Sequence, residues 1–169
     1  MACSQTLSTY SIGECFSSKG GIKKIWIANY VENAFTLTTG GTVSGISTGV
    51  TWYAQELRKG TGSMTSTYNY DEANGSSYWQ TDAVVIYSKM QKENRIQTAA
   101  LAKGDLMAVV EDENGTYFAL GVEEPVKATA GEGVTGTGRS DANQYSITLS
   151  DYNSTVPQIL DDSAISALS

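Results

Sequence analysis

The chain has 169 residues, of which 40% are apolar and only 17% charged, with 17 glycines, 10 tyrosines and a net charge of −7. That length fits one domain able to bury its own core. The acidic balance disfavours tight phosphate binding, which needs clustered Lys and Arg, and the absence of histidine removes the commonest general base and metal ligand.

In chain order, residues 1–20 are polar and rich in Ser and Gly and read as an extended N-terminal arm. The two cysteines, Cys3 and Cys15, lie in it. A secreted scaffold would carry more, so free thiols in a reducing cytoplasm are expected, with their pairing left open. No apolar secretory core follows Met1 and no stretch has the length of a membrane span, so no membrane partner is expected. Residues 24–30 hold Ile25, Trp26 and Ile27 in succession, the pattern of a strand buried on both faces. Residues 35–39 and 42–46 read as two short strands around Gly40-Gly41.

Residues 50–70 and 78–90 read as a long strand pair. The first is punctuated by a bulge or turn at Lys59-Gly60-Thr61-Gly62, and the two are joined by a loop tip at Asp71-Glu72-Ala73-Asn74-Gly75. Within residues 63–70, Thr65, Thr67 and Asn69 alternate with Met64, Ser66, Tyr68 and Tyr70, giving a polar and an aromatic face. Residues 91–103 read as the one helix, with Ile96, Ala99, Ala100 and Lys103 on its apolar stripe and Gly104 as its stop. Asn114-Gly115 between two apolar runs predicts a two-residue type I′ hairpin. Residues 126–139 are glycine-rich and read as a mobile loop, and residues 144–149 as a last alternating strand. Pro157 precedes a C-terminal tail, 158–169, with a helical turn near 162–168. Together these give a mainly-β fold, a β-sandwich or split barrel spanning residues 21–157, with one short α-helix.

Chemistry is sparse. Gly131, Gly133 and Gly136 match the spacing of a dinucleotide fingerprint, but that motif needs a strand before it and a helix after it. The acidic pairs Asp71-Glu72, Glu123-Glu124 and Asp161-Asp162, and the run Glu111–Glu113, lack calcium-loop spacing and fit solvated turns. Lys23-Lys24 and Lys89, Lys92 and Arg95 fit solvated faces better than a nucleic-acid site. No catalytic residue, cofactor or metal is assigned, and no enzyme activity is expected. The sequons at Asn74, Asn114 and Asn153 fit turn chemistry. The distinctive surface is polar: Thr65, Thr67 and Asn69, with Gln80, Asp82 and Ser88 on the partner strand. On a free sandwich it meets solvent. In a ring it would line a channel through which DNA passes without finding phosphate partners.

The Ile25-Trp-Ile-Ala-Asn-Tyr30 strand, the Gly62-Ser-Met-Thr-Ser-Thr67 strand with its Asp71–Gly75 tip, and the helix followed by an Asn-Gly hairpin carry a resemblance. The chain resembles, over nearly its whole length, small virion proteins of Bacteroidetes-type tailed phages, and its element order is similar to that of phage tail tube proteins. The resemblance implies self-association into stacked, hexameric rings whose lumen conducts DNA as non-specific cargo, with other tail or neck proteins as partners. The protein would be made in the bacterial host cytoplasm and reside in the virion tail. Residues 50–70 and 78–90 would supply the shared inner barrel. The loops holding Lys59 and Gly60, and Asp71, Glu72, Asn74 and Gly75, would meet neighbouring subunits. The alternatives are a ring, collar or connector protein of a short-tailed phage, and a capsid-decorating or glycan-binding sandwich using Trp26, Trp52 or Trp79. In that last reading Trp79 is the one expected to be exposed.

Overall fold

The computed structural model describes residues 7–11 and 17–168; Cys3 and Cys15 lie outside the described residues. The fold is mainly β, and the described residues form ten strands in three antiparallel sheets.

The central sheet is built from β1 (Ile22–Asn29), β4 (Tyr53–Glu56), β7 (Leu106–Asp112) and β8 (Tyr117–Leu120), in the order β4-β1-β7-β8. Its two middle strands read as continuous apolar runs, and residues 25–28 and 106–111 are buried without a break. Unbroken burial requires cover on both faces. One face packs against a second sheet of β5 (Ser63–Asp71), β6 (Ser76–Ser88), β10 (Gln144–Asn153) and β9 (Lys127–Val134), in the order β5-β6-β10-β9. Ile25, Ile27, Ala108 and Val110 meet Ala83, Val85, Ile147 and Leu149 in the core between them. The other face is covered by the hairpin β2 (Phe35–Leu37) and β3 (Val43–Ile46) and by the C-terminal residues. Trp26, Met107 and Val109 pack there against Phe35, Val43, Leu160, Ala164 and Leu168.

Residues 158–168, set apart in the sequence as a tail, thus form part of this second core. Asp161 caps the four-residue helix α2 (Asp162–Ile165) by accepting from the Ala164 amide at 3.0 Å, and a 3-10 turn (Ser166–Leu168) follows. Isolated bridges at Ile22–Gly62 and Leu106–Val126 tie the two large sheets together at two corners.

Four expectations are corrected. Residues 50–70 are not one strand: β4 and β5 belong to different sheets, separated by a turn with Gly60 at φ +78°. Gly62 closes that turn, where a Cβ would lie 2.6 Å from the tip of the Leu57 side chain and 3.2 Å from Ile22 Cβ, so a larger residue would require these neighbours to shift. The glycine-rich stretch is not a free loop, because residues 127–134 form β9 along β10, and no helix follows Gly136. The Asn114-Gly115 turn is not type I′, which needs positive φ at both residues. Only Gly115 has it, and Asp112 accepts from the amides of Asn114 (2.9 Å) and Thr116 (2.8 Å), closing a longer loop.

The fourth concerns the helix α1 (Lys92–Leu101), whose rotation is the reverse of the sequence reading. Asn94, Gln97, Thr98 and Leu101 face the protein, while Ile96, Ala99, Ala100 and Lys103 are exposed. Leu101 enters the main core, and the Asn94 side chain donates to the carbonyls of Ser88 (3.1 Å) and Lys89 (2.8 Å). A large aliphatic anchor and two hydrogen bonds outweigh a stripe that is half alanine.

Candidate functional site

Strand pairing assigns the faces of the β5-β6-β10-β9 sheet, since paired residues point the same way. Met64 opposes Ala83 and Ser66 opposes Thr81 on the core side. Thr65 opposes Asp82, Thr67 opposes Gln80, and Asn69 opposes Tyr78 on the outer side. Ser88 opposes Gln144 on that same outer face. The structure therefore brings all six polar residues to one face. Thr65, Thr67, Asn69, Gln80 and Asp82 form a contiguous patch, while Ser88 stands six residues from Asp82, about 20 Å along β6.

A hydrogen-bond chain crosses this face. Gln80 Nε2 donates to both Asp82 oxygens at 3.2 and 3.1 Å, Ser150 donates to Asp82 Oδ1, and the Ser150 and Thr129 hydroxyls meet at 2.7 Å. The carboxylate of Asp82 is thereby fixed between β6, β10 and β9. Sequence reading missed Ser146, Thr148, Ser150 and Tyr152 of β10, which share the face. Their period-two spacing is the available signal, and the strand runs past the expected end at residue 149 to Asn153. Glu132 of β9 lies there too, opposite Ser146. Among the residues of these four strands the only Lys or Arg is Lys127, at the end of β9, where it pairs with Asp105 at 3.2 Å. The face carries a net negative charge and is polar around Asp82, with Val84 and Ile86 lying between that patch and Ser88.

The edges of the two large sheets differ. In the central sheet, β4 and β8 have four residues each. β8 is covered by residues 158–160, through Ala119 N to Gln158 O and Leu160 N to Tyr117 O, both at 2.9 Å. In the other sheet the edge strands β5 and β9 have nine and eight residues, and among the described residues neither has a further strand beside it. Long uncovered edges are templates for pairing with another chain.

The loops singled out from sequence lie at opposite ends of β5. Lys59 and Gly60 are exposed in the turn before it, and Asp71, Glu72, Asn74 and Gly75 are exposed at the β5–β6 tip. Asp71 organises that tip by accepting from the Ala73 amide at 2.9 Å and from the Asn74 side chain and amide. These bonds, the Asn74 side chain first, hold its carboxyl below the usual range.

Two of the acids in the other clusters are held by partners from distant segments. Buried Glu111 pairs with Lys23 at 2.6 Å, and Glu123 accepts from the Ser154 amide at 2.9 Å. Among the described residues no three His, Cys, Asp or Glu side chains are grouped to hold a metal ion, and no helix is long and apolar enough to cross a membrane. Trp26 is buried, Trp52 packs half-buried against Phe35, and Trp79 is half-buried with its ring 5.4 Å from Tyr68 rather than exposed. No family model, curated protein or solved structure matches the chain.

Proposed function

We propose that this protein is a virion structural protein, a tail tube subunit that closes into hexameric rings and stacks around a DNA-conducting lumen. The observation that carries the reading is the pair of long, uncovered edges on one sheet. In the order β5-β6-β10-β9 every neighbour is antiparallel, so β5 and β9 run in opposite directions. The β9 edge of one copy can therefore pair antiparallel with the β5 edge of the next, and the repeat closes into a barrel without edges. The outer face, with Thr65, Thr67, Asn69, Gln80 and Asp82, then becomes one wall of that barrel.

Closure places the polar face on the lumen side, because the opposite face already packs against the central sheet. Six copies contribute twenty-four strands, which at about 4.8 Å each and a tilt near 40° make a wall roughly 48 Å across. The loops at the two ends of β5 then meet neighbouring rings. In this reading the protein is made in the host cytoplasm, resides in the tail, and has itself and other tail or neck proteins as partners.

Negative-stain electron microscopy of concentrated, untagged protein, beside light scattering, tests this. Hollow stacked tubes or six-fold rings are expected. Rings that never stack would replace it with a collar or connector. A monodisperse monomer under all conditions, tail partners included, would overturn it.

A further inference from the structure

The sequence holds two Asn-Gly pairs, Asn74-Gly75 and Asn114-Gly115, each in a turn between paired strands. A glycine after asparagine has no Cβ to keep its amide away from the asparagine side chain. Its nitrogen can therefore attack the Asn Cγ and close a five-membered succinimide ring. Closure needs an amide free to give up its proton and a side chain free to swing over the backbone. The fold treats the two pairs differently on both counts.

Asn114 is clamped. Its Oδ1 accepts from the Lys19 amide at 2.9 Å, and its Nδ2 donates to the Lys19 carbonyl at 3.0 Å and to Asp112 Oδ2 at 3.2 Å. The attacking nitrogen is held too, since the Gly115 amide donates to the Asp112 carbonyl at 3.2 Å. Asn74 is held by Asp71 alone, to which its amide donates at 3.3 Å and its Nδ2 at 2.6 Å. Among the described residues nothing donates to Asn74 Oδ1, and nothing accepts from the Gly75 amide. Residues 70–78 are all exposed, whereas half-buried Glu113 and Thr116 flank the Asn114 turn. Opening the β5–β6 tip therefore disturbs little else.

We propose that Asn74 is a site of spontaneous deamidation, an intramolecular modification whose only co-reactant is water. The Gly75 nitrogen loses its proton to solvent base and bonds to Asn74 Cγ. The bond from Cγ to Nδ2 breaks, and ammonia leaves. Water then opens the ring at Cγ to give aspartate, or at the main-chain carbonyl to give isoaspartate. Either product puts a carboxylate where an amide had donated to Asp71, so like charges face each other beside Glu72. Isoaspartate also lengthens the backbone of the tip by a methylene. Each net hydrogen bond slows opening by about fivefold, and Asn114 has three that Asn74 lacks, so it should react roughly a hundredfold more slowly.

The full chain is incubated in mildly alkaline buffer, folded or in concentrated urea. Peptide mapping by mass spectrometry follows both asparagines, with isoaspartate separated by chromatography. In the folded protein Asn74 should convert and Asn114 should persist, in the roughly hundredfold ratio of rates; in urea the two rates should converge. Asn74 as stable as Asn114 in the folded protein would overturn the proposal. So would a difference that persists in urea, because the neighbouring residues rather than the fold would then set it. Neither readout uses assembly, so failure here leaves the tube reading standing, and loss of the tube reading leaves this site in place.

Discussion

Asp151 has no exposed surface, on the core side of β10, where its Oδ1 accepts from the Gly121 amide at 3.1 Å and Oδ2 from the Asn153 side chain. Burial dominates these bonds and the nearby Glu123 charge adds to it, so its carboxyl is pushed up to about 7. The folded protein thus holds a proton where the unfolded chain, titrating near 4, has lost it. The stability this contributes is fully present below about pH 4 and is lost as pH rises through about 7. Asn153 Oδ1 has no partner when its amide faces a carboxylate. Turning that amide over would let it accept the Asp151 proton in the protonated state. The expected outcome is a melting temperature that falls between pH 5 and pH 8. Asp151→Asn should flatten that slope and raise stability at pH 8 by up to about 4 kcal/mol. Asp71, Asp141 and Asp161, all held below the usual range by hydrogen bonds, weaken the fold only in stronger acid and leave this window clear. An unchanged slope in the variant would show that Asp151 is not the group responsible.

Elements whose side-chain pattern is set by their own faces were legible. The alternation of residues 63–70 gave β5 and both its faces, and the apolar run at Ile25–Ile27 announced a strand covered on both sides. What failed depended on partners distant in sequence. β9 lacks a hydrophobic stripe and exists because β10 pairs with it. The rotation of α1 follows from carbonyls at the end of β6 that Asn94 reaches, which helical periodicity does not encode. The long edges, the feature that most suggests assembly, depend on β4 and β5 parting into different sheets, which the run of residues 50–70 does not encode locally. Charge on an edge strand opposes pairing with another chain. Thr67 of β5 and Ala130 of β9 are exposed, so Thr67→Lys combined with Ala130→Lys should leave the melting temperature within about 2 °C of the parent. The same variant should abolish rings and tubes in the microscope. Unimpaired assembly would remove the two edges as the joining surface.

For the whole molecule, the face that would line the lumen carries Asp82 and Glu132, with cationic Lys127 engaged at its margin. Such a wall repels phosphate and lets a duplex slide, whereas lysines on it would release counterions and hold the duplex in a salt-dependent way. Ser146 and Thr148 lie on the interior strand β10, one strand in from the β9 edge, and take no part in the edge-to-edge pairing. Particles of a Ser146→Lys/Thr148→Lys variant should therefore assemble normally and shift duplex DNA in a gel at about 50 mM salt, releasing it by about 200 mM. Parent particles should leave the DNA unshifted. Assembled variant particles without affinity for DNA would mean that this face does not line a passage.

The pairing of β9 with β10 slips by one residue between Thr148 and Leu149. A subunit that contributes four strands of alternating direction has a seam indifferent to how many copies meet, since antiparallel joins follow at every boundary. Hydrogen-bond polarity therefore does not count subunits, and arc does. A bulge is where a strand bends and its twist increases. In the proposed ring, this one-residue slip beside the seam is the protractor of the assembly, and an altered bulge would be read out as a different number of copies.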